Sequence, residues 1–230
     1  MRYVQCLVAC SLIASNVTAA DEVASPELDR QMAISAITKA DPDAIIERDD
    51  SGNVSEILVR GPGVNDKLFA HLKAFPEATS VLVANSEVTD AGLVHLKGMT
   101  KLTTLAICGS QITDAGLIHL GGLVNLRTLA LSECNIAGSK LVHLKNLMQL
   151  EELNLCATEV TDGKLIQLAG LTKLKSLYLD GYWITDAGAS ALKKILPDVT
   201  ITLNKDIRLK LLKESRENQR KRRHQDAKAA

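Results

Sequence analysis

The sequence predicts an α/β solenoid, in which a curved parallel β-sheet forms the concave side and short helices form the convex side. Two observations lead to this fold class. Six similar segments follow one another at a spacing of 24 residues without insertions. Each is followed by an L-x-x-L-x-L pattern, which is degraded in the outer copies. A fixed period of this length is typical of solenoids. The segments begin at Val64, Val88, Ile112, Ile136, Val160 and Ile184.

The leucine pattern predicts the strand half of each unit. Alternation of the L-x-L type places two apolar side chains on one face of a short strand. Stacked units would then form a parallel sheet with strands about 4.8 Å apart. The clearest strand patterns are Leu102/Leu105/Ile107, Leu126/Leu129/Leu131, Leu150/Leu153/Leu155 and Leu174/Leu177/Leu179.

The other half of the unit predicts a short convex helix. A Thr-Asp pair is a good helix cap, and apolar residues such as Leu93, Leu96 and Met99 follow it three apart. Neither half can bury its apolar face alone, whereas stacked neighbours can. The unit must therefore recur.

The segments VTDAGLVHL from Val88 and ITDAGLIHL from Ile112 share the motif V/I-T-D-x-G-L-x-x-L. This motif resembles one variant of the leucine-rich-repeat family. Similar repeats occur in exported bacterial proteins and in the cysteine-containing type of F-box adaptors and ribonuclease-inhibitor-like proteins. The resemblance covers residues 54–204 and implies a solenoid that binds a partner. It departs at Ile136-Ala137-Gly138-Ser139, where Thr-Asp is missing, which puts the helix cap of that unit in doubt.

Residues 1–20 predict a cleaved export signal. Arg2 supplies a positive start, an apolar stretch runs from Tyr3 to Ile13, and small residues precede Asp21. The stretch is too short to span a bilayer. We therefore expect a secreted, periplasmic or cell-envelope protein. Two alternatives are an N-terminal element of the fold and a lipoprotein anchored at Cys10.

The remaining chain divides into three predicted parts. Residues 21–53 form an N-terminal cap: Pro26 starts a helix that runs to about Ala40, and a hairpin turn at 49–53 precedes the first strand. Residues 54–204 form the solenoid, and residues 205–230 form a basic tail. The tail has ten Lys/Arg and four Asp/Glu, a net charge of +6, against −6 for the rest of the chain.

This charge asymmetry suggests two separate surfaces. The tail is interpreted as a solvated extension or as a contact for an anionic surface. Nucleic acid is not expected as a partner, because the tail lacks interleaved aromatic residues. We expect a monomer.

No pattern in the chain indicates an enzyme or a cofactor site. The sequence lacks a nucleophile elbow, an H-E-x-x-H motif and a phosphate-binding glycine loop. Four histidines recur at the same helix position, one per unit, so they are too far apart to share a metal ion. They are expected on the convex surface, and no metal site is predicted. They are His71, His95, His119 and His143.

Three cysteines follow the predicted signal. Cys134 aligns with Ser110 and Thr158 at an inward position and is expected to be a buried free thiol. Cys108 and Cys156 lie in a concave column two units apart. At about 10 Å they are beyond disulfide reach.

Function is expected in what varies between the units. The concave columns are small and neutral in the early units, while the later ones add charged, amide and aromatic side chains. Tyrosine and tryptophan are common interface anchors. Tyr182 and Trp183 have two interpretations, as part of this surface or as core beneath the last unit. The predicted partner-binding residues are Glu151, Glu152, Asn154, Lys175, Tyr178 and Asp180.

The sequence thus predicts an exported binding module whose concave sheet recognises an unknown protein or peptide. The alternative is an intracellular adaptor of the F-box kind or an enzyme inhibitor of the ribonuclease-inhibitor kind. Residues 21–53 are too short for a typical F-box. The export signal distinguishes the two hypotheses.

Overall fold

The computed structural model describes residues 26–204. The predicted export signal at 1–20, with Cys10, and the basic tail at 205–230 lie outside the described residues. Within residues 26–204, no helix is both long enough and apolar enough to cross a membrane.

One sheet of eight strands runs through the described residues, in the order of the chain. β1 is antiparallel to β2, and each later neighbouring pair is parallel. Parallel partners such as Leu105 and Leu129 stand one 24-residue unit apart, as the repeat predicts. The strands are β1 (Ile45–Arg48), β2 (Val54–Arg60), β3 (Ser80–Ala84), β4 (Thr104–Cys108), β5 (Thr128–Ala130), β6 (Glu152–Leu155), β7 (Ser176–Asp180) and β8 (Thr200–Asn204).

The segments between the parallel strands contain short helices. The middle units use 3-10 helices, whose three residues per turn match the spacing of their buried leucines. The α-helices are α1 (Pro26–Ala40), α2 (Asp66–Leu72), α3 (Asp90–Leu93) and α4 (Asp186–Ile195). The 3-10 helices are η1 (Val94–Leu96), η2 (Gly116–Leu120), η3 (Leu141–Asn146) and η4 (Asp162–Leu168).

A single apolar core lies between the sheet and the helices. The inward strand leucines, such as Leu129 and Leu153, are fully buried, and so are Leu117 and Leu120 of η2. α1 has the bounds that the sequence predicts, and its Ile37 belongs to the same core. Stacking therefore buries what a single unit would expose.

The Thr-Asp pair connects neighbouring units as well as capping helices. Asp162 accepts two hydrogen bonds from Thr185 of the next unit, one from the backbone N at 2.9 Å and one from Oγ1 at 2.6 Å. Thr185 Oγ1 in turn accepts from the Gly188 backbone N at the start of α4. The same pairing joins Asp66 to Thr89 and Asp90 to Thr113. We call these contacts the Asp-Thr ladder.

The glycine of the T-D-x-G motif makes room for this ladder. A Cβ added to Gly188 would lie 2.0 Å from Oδ1 and 2.8 Å from Cβ of Asp162. Gly92 and Gly116 leave the same space for Asp66 and Asp90 of their preceding units. The motif encodes contacts between units, which a single unit does not reveal.

The irregular unit at Ile136 also contacts its neighbouring units through this region, although it lacks the T-D-x-G motif. Gly138 stands where the other units have Asp, and the next unit has Lys164 at the position of Gly92, Gly116 and Gly188. A Cβ on Gly138 would lie only 3.1 Å from the Lys164 Cβ, so the two exceptions are complementary. Asp114 bonds instead to the backbone N of Gly138 at 3.0 Å and to Ser139 Oγ at 2.8 Å. η3 has no side-chain cap, yet the unit keeps its place in the solenoid.

Cys134 is a buried free thiol, as the sequence predicts. Its Sγ donates to the Ile107 carbonyl at 3.2 Å, and the aligned Ser110 Oγ lies 2.8 Å from Ser86 Oγ. Thr158 Oγ1 fills the same role by donating to the Leu155 carbonyl at 2.7 Å. Burial raises the pKa of the Cys134 thiol from 9.0 to about 11.

This pKa predicts a loss of stability at alkaline pH. Below pH 9 the thiol is protonated in both the folded and the unfolded chain. Between pH 9 and about 11 it ionises only when unfolded, so its contribution to folding is lost as the pH rises through that window. Cys134→Ser should flatten this alkaline decline in the free energy of unfolding, measured by urea denaturation from pH 8 to 11. Cys108→Ser is the control, and an equal flattening by both variants would contradict the prediction.

Candidate binding surface on the concave sheet

The concave surface consists of the outward side chains of β2 to β8. Burial alternates along these strands: in β4, Leu105 and Ile107 are buried, whereas Thr104, Ala106 and Cys108 are partly exposed. Parallel register aligns equivalent residues in columns across the sheet. The central column is Leu58, Leu82, Ala106, Ala130, Asn154, Tyr178 and Thr202.

An apolar hollow of about 240 Å³ occupies the early part of this surface. We call it the β2–β4 hollow. It is lined by leucines from β2 and β3, by small residues from β3 and β4, and by Arg60 at one side. The early units were predicted to be small and neutral, so this hollow was not expected from the sequence. The signal was present, because Leu58 and Leu82 stand where the following two units have alanine.

Glu151 and Lys175, two of the predicted site residues, pair with each other at the edge of the sheet. Glu151 Oε2 accepts from Lys175 Nζ at 2.5 Å, and its Oε1 accepts from Arg127 Nη1 at 2.9 Å. The hydrogen bond from Lys175, and then the nearby charges, lower the pKa of Glu151. The group is exposed, so it contributes little to stability. Its charge is already matched by its neighbours.

Asn154 and Asp180 have structural roles. Asn154 Oδ1 accepts from the Cys156 backbone N at 2.9 Å, which holds the end of β6. Asp180 was expected on the exposed surface, but it is only 6% exposed. Its Oδ1 accepts from the Tyr182 backbone N at 3.0 Å, because the chain turns directly after β7. Its expected exposure is therefore wrong.

Glu152 and Tyr178 form the accessible polar part of the predicted site. Both side chains are partly exposed. Glu152 pairs in register with Ser176 and Asn154 pairs with Tyr178, so Glu152 and Tyr178 are diagonal neighbours on adjacent strands. Within residues 26–204, neither side chain has a hydrogen bond or an ion pair. We call them the Glu152–Tyr178 pair.

Tyr182 and Trp183 lie on the surface, so their interpretation as core residues is wrong. Tyr182 is 50% exposed and Trp183 is 40% exposed. Their rings meet edge to face, with centroids 4.6 Å apart and planes at 79°. They follow β7 in the turn that Asp180 holds.

The cysteines and histidines do not converge on one site. Cys108 and Cys156 are unbridged, and Ser132 Oγ donates to Cys108 Sγ at 3.1 Å between them. Burial and the nearby Asp180 carboxylate raise the pKa of Cys156. Among residues 26–204, no three His, Cys, Asp or Glu side chains are grouped to hold a metal ion.

Comparison with known proteins finds similar solved structures. No family model and no curated protein matches the chain. An internalin (inlF) from Listeria monocytogenes is 20% identical, with a TM-score of 0.44, over 74% of this chain and 54% of that one. The leucine-rich-repeat protein LIC12759 from Leptospira interrogans is 18% identical, with a TM-score of 0.49, over 65% and 37%. The Arabidopsis receptor kinase HAESA, solved with the peptide hormone IDA and the co-receptor SERK1, is 16% identical, with a TM-score of 0.48, over 80% and 38%.

This chain spans 54% or less of the length of each of these three structures. The repeated motif and the observed sheet define its own architecture. It is an α/β leucine-rich-repeat solenoid, with a parallel sheet on one side and short helices on the other.

Proposed function

We propose that this chain is an exported leucine-rich-repeat binding module, which recognises a protein or peptide through its concave sheet and catalyses no reaction. One observation carries the proposal. The outward faces of seven parallel strands form a continuous surface, and most of its side chains are partly exposed to solvent. Such extended concave surfaces are what solenoids use for binding.

The contrast between inward and outward columns supports this assignment. Leu105, Leu129, Leu153 and Leu177 repeat the same residue in one inward column, because each fills an equivalent slot in the core. The adjacent outward column changes from Thr128 to Glu152 to Ser176. The identical inward residues pack the core, whereas the differing outward residues give each unit its own surface chemistry.

Export is the other part of the proposal, and it separates this function from that of an intracellular adaptor or enzyme inhibitor. The signal predicted at residues 1–20 supports it. N-terminal sequencing of the protein isolated from its host should show that the chain starts after Ala20. A mature chain that still starts at Met1 would favour the intracellular alternative.

Site-specific photo-crosslinking tests where the partner binds. Benzoylphenylalanine replaces Ala130, on the floor of the concave sheet, or Ala115, which is exposed in the segment that leads into η2. The two positions are matched, since both replace an alanine in the middle units. We expect partner adducts in host extract only from position 130. Adducts from position 115 alone would assign binding to the convex side and refute the proposal.

A further inference from the structure

We infer that the concave sheet binds an extended peptide segment that places an apolar side chain in the β2–β4 hollow and a basic side chain against Glu152 and Tyr178. The inference rests on the proposed function and adds the chemistry of the partner. Three features support it: the shape of the hollow, the unmatched charge of Glu152 and the spacing between the two positions.

The β2–β4 hollow favours an apolar side chain. Leu58, Leu82, Ala84, Ala106 and Cys108 contribute to its lining, and Arg60 is its one charged residue. These side chains are partly exposed, so a bound residue would remove apolar surface from water on both sides of the contact. Burial of an aliphatic side chain favours binding in proportion to the apolar area that it removes from water. The hollow therefore suits an aliphatic anchor.

Glu152 favours a basic side chain. Arg127 and Lys175, the basic residues directly before the neighbouring strands β5 and β7, are both bound to Glu151. Its in-register neighbours in the sheet, Thr128 and Ser176, carry no charge. The Glu152 carboxylate is therefore a partly buried negative charge without a counter-ion in the described residues. A lysine or arginine of the partner would supply the counter-ion through a charge-assisted hydrogen bond to this carboxylate.

Tyr178 strengthens this preference. It lies diagonally across from Glu152 on the neighbouring parallel strand, a separation of about 8 Å from the strand spacing and a two-residue rise. A cation over a tyrosine ring gains a cation–π attraction. A long basic side chain could thus lie along the ring with its charged end at the carboxylate.

The rest of the surface argues against a polyanion. Arg60 is the only basic residue among the outward positions of β2 to β8. A nucleic acid or an acidic peptide would meet Glu152 and Glu56 with Arg60 as the one outward cation of these strands. The chemistry of the face fits a segment that is both basic and apolar.

The spacing defines the segment further. Leu82 and Asn154 stand three strands apart in the central column, a distance of about 14 Å. Between them Ala106 and Ala130 leave a low floor. An extended chain advances about 3.4 Å per residue, so it covers this distance in about four residues. The apolar and the basic residue should therefore be four positions apart.

Fluorescence anisotropy with synthetic peptides tests the inference on the full chain. The probes are labelled SLSSSRS and its reverse, SRSSSLS, because the surface does not dictate chain direction. We expect one order to bind at least about tenfold more tightly than SSSSSSS, SLSSSES or SSSSSRS. Moving the two residues to adjacent positions, as in SSLRSSS, should remove the gain. If neither order binds better than the all-serine peptide, the inference is wrong.

Charge reversal gives the matched control. Glu152→Lys should reverse the preference, so that SLSSSES binds more tightly than SLSSSRS in the favoured order. Glu159→Lys makes the same charge change at an exposed residue outside the strands and should leave the preference unchanged. Equal effects of the two variants would overturn the inference. If the peptides do not bind but the partner still forms adducts at position 130, only the inferred chemistry of the partner is refuted. If adducts form only at position 115, the proposed function itself is refuted.

Discussion

Gly188→Ala is expected to lower the free energy of unfolding by about 3 kcal/mol. The new methyl group would overlap the Asp162 carboxylate, whose Oδ1 lies 2.0 Å from the position of the added Cβ. Rotating Asp162 away would break both of its hydrogen bonds to Thr185, and its own Cβ, at 2.8 Å, would still be too close. Urea unfolding followed by far-ultraviolet circular dichroism measures the loss.

A second substitution shows whether the Asp-Thr ladder is the cause. In the Asp162→Gly background the obstacle is absent, and Gly188→Ala should then cost less than about 0.5 kcal/mol. The chain already contains this exchange, since Gly138 stands opposite Lys164. Gly170→Ala is the control, because nothing lies within 4 Å of its added Cβ. An equal cost of Gly188→Ala in both backgrounds would show that the glycine is not there for the ladder.

The fold was largely predictable because one unit repeats in register. The 24-residue period determined the pairing of the strands, and the L-x-L alternation determined which side chains are buried. The caps at Thr89 and Thr185 follow from their sequence and are confirmed. Strand pairing, burial and helix caps can therefore be predicted from patterns within a single repeated unit.

The Asp-Thr ladder was less accessible to sequence reasoning. Asp162 and Thr185 are 23 residues apart, and the motif within a single unit explains neither the aspartate nor the glycine. Their meaning appears only when two units are stacked. The replacement of the motif aspartate by Gly138, followed by Lys164 in place of the motif glycine, was an available signal.

The positions of the candidate residues on the sheet were predicted in part. Glu152 and Tyr178 were placed correctly on the concave columns by strand alternation. Asp180 was misplaced, because its burial depends on the turn after β7 and on its bond to the Tyr182 backbone. The β2–β4 hollow was missed, because it comes from the combined shape of three strands. Single-residue patterns do not describe such a shape.

Tyr178→Ala combined with Glu152→Ala is expected to abolish partner capture while leaving the fold intact. Truncation removes the aromatic face and the unmatched carboxylate together, and central interface anchors of this kind dominate binding. Neither side chain has a polar partner within residues 26–204, and both point away from the core. The melting temperature should therefore change by no more than about 2 °C.

Partner capture by this double variant, compared with a matched convex variant, tests the central claim most directly. The control is Ile118→Ala with Val142→Ala, since these residues are 56% and 44% exposed on the helical side. The partner is first identified by crosslinking at position 130 of the otherwise unaltered chain. Each tagged protein is then incubated with host extract, and the amount of this partner that it captures is quantified by mass spectrometry. We predict at least about tenfold less of it with the concave variant and unchanged recovery with the convex variant. Equal recovery by the concave variant and the wild type would contradict the account.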